Sequence, residues 1–137
     1  MKRLWFKSLM MFLMVGMVGV VGVSAQSKPY TPEKGMPERK AILDAVRKFR
    51  KAPSEVYIPS GFYVLKGWAY VSAPDPSDPE VDTAAFEYIL RKSGSVWKVV
   101  DQVSHVEGTD YKKERKRIKK RFPSVPIAIF PELASDG

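Results

Sequence analysis

An aromatic-rich tract from Phe62 to Val103 most constrains how this chain can fold. Within it, Thr83 to Lys92 and Val96 to Val103 are two strand-like runs joined by Ser93-Gly94. The glycine supplies the positive backbone dihedral that a tight two-residue turn needs. The tract therefore predicts an antiparallel hairpin at the centre of a small sheet.

A turn at Ser93-Gly94 sets the register of this hairpin. Leu90 then faces Trp97 and Tyr88 faces Val99, because side chains alternate and opposed residues share a side of the sheet. The register predicts that these residues, joined by Phe86, form one core face of the sheet. A slip by one residue would move all of them to the other face.

The other face of the hairpin mixes charged and aliphatic side chains. Its members are Glu87, Ile89 and Arg91 on one strand and Val96, Lys98 and Val100 on the other. In this register Glu87 and Lys98 can attract each other diagonally. We expect the aliphatic side chains of this face to be half-buried.

The preceding segment, Phe62 to Ala73, is apolar on both alternations and predicts a strand that is covered on both sides. Gly67 is either a bulge or part of a tight turn between two strands, and the turn is the preferred interpretation. Pro59 cannot donate a backbone hydrogen bond, so the part before the turn is expected at a sheet edge.

Met1 to Ala25 has the three parts of a secretory signal peptide. Positive residues open the segment, Leu9 to Val23 is an apolar run, and Val23-Ser24-Ala25 offers small residues for cleavage. A membrane anchor is the alternative, but the run of 15 residues is shorter than the roughly 20 that a spanning helix needs. We therefore expect a periplasmic or secreted protein.

The remainder is expected to fold as one domain without cross-links, because the chain has no cysteine. Residues 26–36 are predicted to be a flexible leader and residues 37–137 a single α+β domain. Pro37 opens a helix that ends at Ala52-Pro53. Its apolar stripe, with Leu43 at the margin, comprises Ala41, Ile42, Ala45, Val46 and Phe49. We expect this amphipathic helix to pack on an antiparallel sheet of about four strands.

A second, strongly basic helix is predicted after Gly108, with Thr109 or Asp110 as its N-cap and Pro123 as its stop. Residues 110–121 hold eight basic and two acidic side chains. The basic residues are Lys112, Lys113, Arg115, Lys116, Arg117, Lys119, Lys120 and Arg121. A thin apolar seam consists of Tyr111, Ile118 and Phe122. A short apolar tail, Val125 to Phe130, is expected to return over the core.

The eight basic residues are a candidate anion-binding site. Residues 52–109 hold four basic and eight acidic side chains, so a basic helix on a slightly acidic body could attract a polyanion. For an exported chain, anionic lipid, an envelope polymer or another envelope protein is a more plausible partner than nucleic acid, because no aromatic residues interleave with the charges. The alternative is a solvated helix face.

Catalysis finds little support in the sequence. His105 is the single histidine and lies near Asp101, Glu107 and Asp110, so it could act as a general base. The sequence has no nucleophile motif, no second histidine for a metal and no glycine-rich phosphate loop. We therefore expect no cofactor and no metal, and treat an enzyme centred on His105 as an alternative.

Several segments in this order resemble a group of small exported bacterial proteins without an assigned activity. They are the helix Pro37 to Ala45, the strand Gly67-Trp68-Ala69-Tyr70-Val71, the strand Trp97-Lys98-Val99-Val100, the motif Gly108-Thr109-Asp110 and the closing Val125 to Phe130. The resemblance implies a helix on a curved sheet, similar to cystatin-like or nuclear-transport-factor-like folds. The resemblance assigns no catalytic residues to this chain. Met36, in place of a serine-type cap, and the dense charge of residues 112–121 depart from the group.

These observations predict a non-catalytic exported binding or accessory domain. An anion-binding cell-envelope protein that uses the basic helix is the second interpretation. A binding domain predicts an apolar pocket or patch between the first helix and the sheet, whereas anion binding predicts salt-sensitive affinity that charge reversal abolishes.

Overall fold

The computed structural model describes residues 28–54, 59–74, 85–104 and 108–131. In chain order the elements are helix α1 (Pro37–Arg50), strands β1 (Gly61–Leu65), β2 (Trp68–Pro74), β3 (Ala85–Ser93) and β4 (Val96–Ser104), helix α2 (Tyr111–Arg121) and a 3-10 turn (Ile127–Ile129). The four strands form an antiparallel sheet in the order β1-β2-β3-β4. The predicted α+β class and four-stranded antiparallel sheet are confirmed.

The connection between β1 and β2 is a two-residue turn, as preferred from the sequence. Leu65 pairs with Trp68, and the turn residues Lys66 and Gly67 have φ of 50° and 76°. Positive φ at both central residues is the pattern of a type I′ turn, whose twist matches that of the flanking strands. Among the four strands β1 pairs with β2 alone, so it lies at an edge of the sheet, as expected from Pro59.

The register predicted for the β3–β4 hairpin is wrong by two residues. The turn residues are Gly94 and Ser95, so Ser93 pairs with Val96 and Leu90 pairs with Val99 instead of Trp97. Gly94 has φ of 61°, which suits the first central position of a type II′ turn. A shift of two residues keeps every side chain on its predicted face, because the side-chain period of a strand is two.

A bulge in β4 changes the pairing further along this hairpin. Ile89 pairs with Asp101 while Leu90 pairs with Val99, so Val100 is the extra residue. Beyond the bulge Glu87 pairs with Val103. The predicted diagonal attraction between Glu87 and Lys98 is wrong, since the offset turn pairs Lys98 with Arg91 and the bulge pairs Glu87 with Val103.

Helix α1 covers one face of the sheet and forms the first core with it. Its Ile42, Leu43 and Val46 are buried there, so Leu43 belongs to the stripe rather than to its margin. Phe49, expected in the stripe, remains 47% exposed near the end of the helix. The sheet contributes Phe62, Val64, Ala69, Val71, Ala73, Tyr88, Leu90 and Trp97 to this core.

The opposite face of the sheet carries a second core, and its three aliphatic side chains, all expected to be half-buried, differ: Ile89 is fully buried, Val100 is half-buried and Val96 is 52% exposed. Ile89 has no exposed surface because α2 and the C-terminal segment cover it. The second core comprises Leu65, Trp68, Tyr70, Ile89, Val103, Ile118, Val125, Ile129 and Phe130. The predicted return of the C-terminal apolar segment over the core is present, and β2 is covered on both sides as expected.

Tyr30 and Thr31, which belong to the flexible leader assigned from sequence to residues 26–36, contact the outer edge of β1. The backbone N–H and C=O of Tyr30 pair with the C=O and N–H of Val64 at 3.0 and 2.8 Å. Thr31 donates its hydroxyl to the Phe62 carbonyl at 2.5 Å, and Tyr30 donates to Glu38 at 2.7 Å. Met36 occupies the N-cap position of α1 without a side-chain hydrogen bond.

The predicted signal peptide, residues 1–25, and His105 lie outside the described residues. Within the described ranges, no helix has both the length and the apolar character needed to cross a membrane. The domain boundaries and the compartment therefore stay predictions.

Candidate functional site

Helix α2 begins at the predicted cap and lies with its seam on the second core. Asp110 is the N-cap residue, and its carboxylate accepts the backbone N–H of Lys113 at 3.1 Å. Ile118 is fully buried, and Phe122 packs edge-to-face on Trp68 with ring centroids 5.6 Å apart. The seam sets which basic side chains face the sheet and which face solvent.

Arg115, predicted as part of the anion site, is buried on this seam and is only 3% exposed. Its guanidinium donates two hydrogen bonds to the Glu87 carboxylate on β3, at 2.5 and 2.8 Å. Tyr70 on β2 donates its hydroxyl to the same carboxylate at 2.6 Å. Glu87 thus links β2 and β3 to α2, and its side chain has no exposed surface.

Arg117 and Arg121 lie on the side of α2 that faces β4, and both contact Asp101. Arg117 donates two hydrogen bonds to that carboxylate at 2.9 Å, and Arg121 donates one at 3.2 Å. Burial opposes ionisation of Asp101, but the hydrogen bonds and charge of Arg117 outweigh it and hold the pKa of Asp101 below its ordinary value. Hydrogen bonds to Asp101 and Glu114 raise the pKa of Arg117.

The lysines lie on a different face of α2 from these arginines. At 100° per residue, Lys112, Lys116 and Lys120 form one row along the helix. In the part of the chain that the structure describes, these three ammonium groups contact no carboxylate. Lys119 beside them donates to the carbonyls of Pro123 and Val125, at 2.6 and 2.8 Å, and closes the turn after α2. Lys113 is exposed further round the helix, beside Asp110 and Glu114.

An open groove of about 550 Å³ runs between this lysine row and the C-terminal segment. We call it the α2 groove, and its lining is Lys112, Arg115, Lys116, Lys119, Lys120, Ile127 and Phe130. Ile127 is 49% exposed, and Phe130 lies under the Arg115 guanidinium with 4.6 Å between the guanidinium carbon and the ring centroid. The groove therefore has an apolar floor and a cationic rim.

A second groove, of about 470 Å³, lies between α1 and the start of β4. Its apolar lining includes Phe49 and Val96, which are 47% and 52% exposed. This is the kind of surface that a binding domain predicts between the first helix and the sheet. Its rim carries both signs of charge, because Asp44 and Lys48 both line it.

The described ranges hold no cluster of metal ligands, and two of their buried carboxylates are paired with arginine. No group of three or more histidine, aspartate or glutamate residues is placed there to hold a metal ion. Glu87 and Asp101, two buried carboxylates, are each bound by arginine. His105 and Glu107 lie outside the described residues, so the alternative of an enzyme centred on His105 stays a prediction.

Sequence reasoning missed the Glu87–Arg115 pair, although a signal was present. Arg115 stands four residues after Tyr111 and three before Ile118, so helical spacing places it in the apolar seam. Glu87 and Ile89 are two residues apart on β3, so they share the strand face that packs into the second core. A charged residue in each of two apolar faces indicates a buried pair, but only the packing of α2 shows that they meet.

The chain matches no family model, no curated protein and no solved structure. The resemblance to small exported bacterial proteins therefore stays an interpretation of the sequence.

Proposed function

We propose that this chain is an exported binding domain without catalytic activity, and that it binds an anionic ligand in the α2 groove. The observation that carries the proposal is the row formed by Lys112, Lys116 and Lys120, which meets no carboxylate in the described residues while the neighbouring arginines do. Export and a periplasmic or secreted location rest on the N-terminal segment alone.

The lysine row supports an anion site on energetic grounds. Lysines four residues apart on one helix face repel each other, at a cost of about 0.2–0.5 kcal/mol per pair. This row holds two such pairs, and Lys119 adds a further positive charge beside them. A bound anion would reduce the repulsion, and the positive field would raise the local anion concentration.

The arginines are less suited to ligand binding than the sequence predicted. Arg115 is buried and paired with Glu87 within the second core, and Arg117 and Arg121 share Asp101. We therefore narrow the proposed site to Lys112, Lys116 and Lys120, beside which Lys119 contributes its charge while its ammonium group is engaged by two carbonyls. The groove between α1 and β4 is left outside the proposal because its mixed charges favour no ligand class.

A salt series on two charge-matched variants tests the proposal. In the first, Lys112, Lys116 and Lys120 are changed to Gln; in the control, Lys34, Lys48 and Lys66, which lie elsewhere on the surface, are changed to Gln. Both lose three positive charges, so any long-range effect of net charge is equal. We expect affinity for an anionic probe to fall with salt and to drop about tenfold or more in the first variant alone. Equal losses in the two variants would contradict a defined site.

A further inference from the structure

We infer that the α2 groove holds one single-chain amphiphile with an anionic headgroup, of the class of a long-chain carboxylate or an alkyl phosphate. The inference rests on the proposed anion site and names its ligand class. It is drawn from the combination of an apolar floor with a row of ammonium groups along one edge.

The exposed apolar surface of the groove floor comes from Ile127, which is 49% exposed. Phe130 is only 1% exposed, packs edge-to-face on Tyr70 with centroids 6.0 Å apart, and has the Arg115 guanidinium carbon 4.6 Å from its ring centroid, so it supports the floor and offers little surface of its own. The Glu87 carboxylate fixes that guanidinium. A hydrocarbon chain lying here would bury the Ile127 side chain without displacing any polar partner.

The rim is charged along one edge only. Lys112, Lys116 and Lys120 lie on successive turns of α2, so the row extends over about 12 Å at 1.5 Å per residue. Lysine ammonium groups are point charges on flexible side chains, and they bind carboxylate or phosphate without a fixed geometry. A headgroup could therefore sit at any of three positions while its chain lies on the floor.

The dimensions of the groove favour one chain over a membrane surface. At about 550 Å³ it falls within the range of roughly 300–1,000 Å³ that is typical of small-molecule sites. Helix α2 presents no Trp, Phe or Leu outward, whereas helices that lie in a membrane interface bury such residues. The Ile118 face of α2, its apolar side, is already used by the second core.

Isothermal titration with a homologous series of fatty acid anions, below their micelle-forming concentrations, tests the inference. Butanoate, octanoate and dodecanoate carry the same headgroup, and dodecanol serves as the uncharged partner of similar length. We expect affinity to rise by about threefold to fourfold for each methylene that reaches the floor. Dodecanol should bind less tightly than dodecanoate, and added salt should weaken the binding of dodecanoate.

Two matched substitutions separate the floor from the rim. Ile127→Ser removes the exposed apolar side chain of the floor, and Val96→Ser removes a similarly exposed one in the other groove. We expect dodecanoate affinity to drop about fivefold or more in the Ile127 variant and to be unchanged in the Val96 variant. The chain-length dependence should weaken in the Ile127 variant, which a loss of stability alone would not produce.

The outcomes distinguish the two proposals. Salt-sensitive, lysine-dependent binding that does not vary with chain length would overturn the amphiphile and leave the anion site standing. Binding that depends on chain length but changes with neither salt nor the lysine substitutions would overturn the anion site and the amphiphile together. The absence of binding by any anion would do the same. Binding to vesicles of anionic lipid without binding of monomeric dodecanoate would also overturn the inference, in favour of a membrane surface.

Discussion

Glu87 is the residue on which the contact between the sheet and α2 depends most. Its carboxylate has no exposed surface and accepts hydrogen bonds from Tyr70 and Arg115. A buried ion pair contributes little net stability compared with apolar residues of similar size, but loss of one partner leaves a charge without compensation. We therefore expect the pair to act mainly on specificity, because α2 can reach the sheet at low cost only where the two charges meet.

Glu87→Gln is expected to lower the free energy of unfolding by about 3–5 kcal/mol, because it leaves the Arg115 guanidinium buried without a counter-charge. Urea unfolding monitored by tryptophan fluorescence measures the change. Tyr70→Phe, which removes one hydrogen bond to the carboxylate, should cost about 1.5–3 kcal/mol. The double substitution Glu87→Leu with Arg115→Met should be more stable than Glu87→Gln. A Glu87→Gln variant as stable as the unmodified protein would contradict the pairing.

Asp101 should make stability depend on pH in the acidic range. Its pKa in the folded protein lies below the unfolded value of about 3.9, so its contribution is complete above that value and is lost as the pH falls through the folded pKa. The stability difference between the unmodified protein and Asp101→Asn is therefore expected to be constant from about pH 5 to about pH 7 and to shrink below about pH 4. Urea unfolding at a series of pH values measures it.

Asp44→Asn is the control for that pH series. The pKa of Asp44 is also lowered, first by its hydrogen bond from Lys40. Its side chain is 45% exposed, however, so solvent screens the pair and the change in stability should be small. Equal pH dependence in the two variants would contradict the role given to burial of Asp101.

At the scale of elements, the turns decide how the strands align. Lys66 and Gly67 adopt left-handed backbone conformations, and together they place Leu65 opposite Trp68. Glycine adopts positive φ without cost, whereas a lysine there is strained. The β1–β2 turn thus has one residue suited to its conformation and one that is not.

Gly67→Ala is expected to lower the free energy of unfolding by about 1–2 kcal/mol, because alanine resists the φ of 76°. Steric clash does not add to this loss of stability, since the nearest atom to an added Cβ is the Lys92 Cβ at 4.0 Å. Lys66→Asn at the neighbouring position should raise stability by a few tenths of a kcal/mol, because asparagine tolerates positive φ. Thermal unfolding of both variants checks this, and a neutral Gly67→Ala would argue against the type I′ turn.

At the scale of the whole molecule, the sheet separates two cores. Helix α1 closes the first, and α2 with the C-terminal segment closes the second. Trp97 belongs to the first core and Trp68 to the second, so the two tryptophans lie on opposite faces of the sheet. The second core also carries the α2 groove, which makes its packing a condition for the proposed site.

The two cores should respond independently to small substitutions. Ile42→Val in the first core and Ile118→Val in the second should each cost about 0.5–1.5 kcal/mol, because each removes one buried methylene. The double variant should match the sum of the two within about 0.5 kcal/mol, since the sheet lies between the sites. Tyr70→Phe with Glu87→Gln, whose side chains are in direct contact, should deviate from additivity. Strong coupling between Ile42 and Ile118 would show that the sheet transmits strain.

The sequence by itself determined the local features of this protein. Alternation assigned Leu90 and Trp97 to one face, Pro37 opened the first helix, and Thr109 or Asp110 marked the start of the second. Each of these depends on residues close together in the chain, whose preferred dihedrals and periodicity are intrinsic. The face of a strand is also insensitive to an offset of two residues, which is why it survived an error in the register.

Only the tertiary structure decided which distant residues meet. The offset of the β3–β4 hairpin, the bulge at Val100, the burial of Arg115 against Glu87 and the α2 groove all follow from how α2 and the C-terminal segment pack on the sheet. The charge pattern of the sequence does not distinguish the eight basic side chains of α2 from one another. Packing separated them into arginines that bind carboxylates, lysines that line a groove and Lys113 outside that groove, because a helix can turn only one face towards a core.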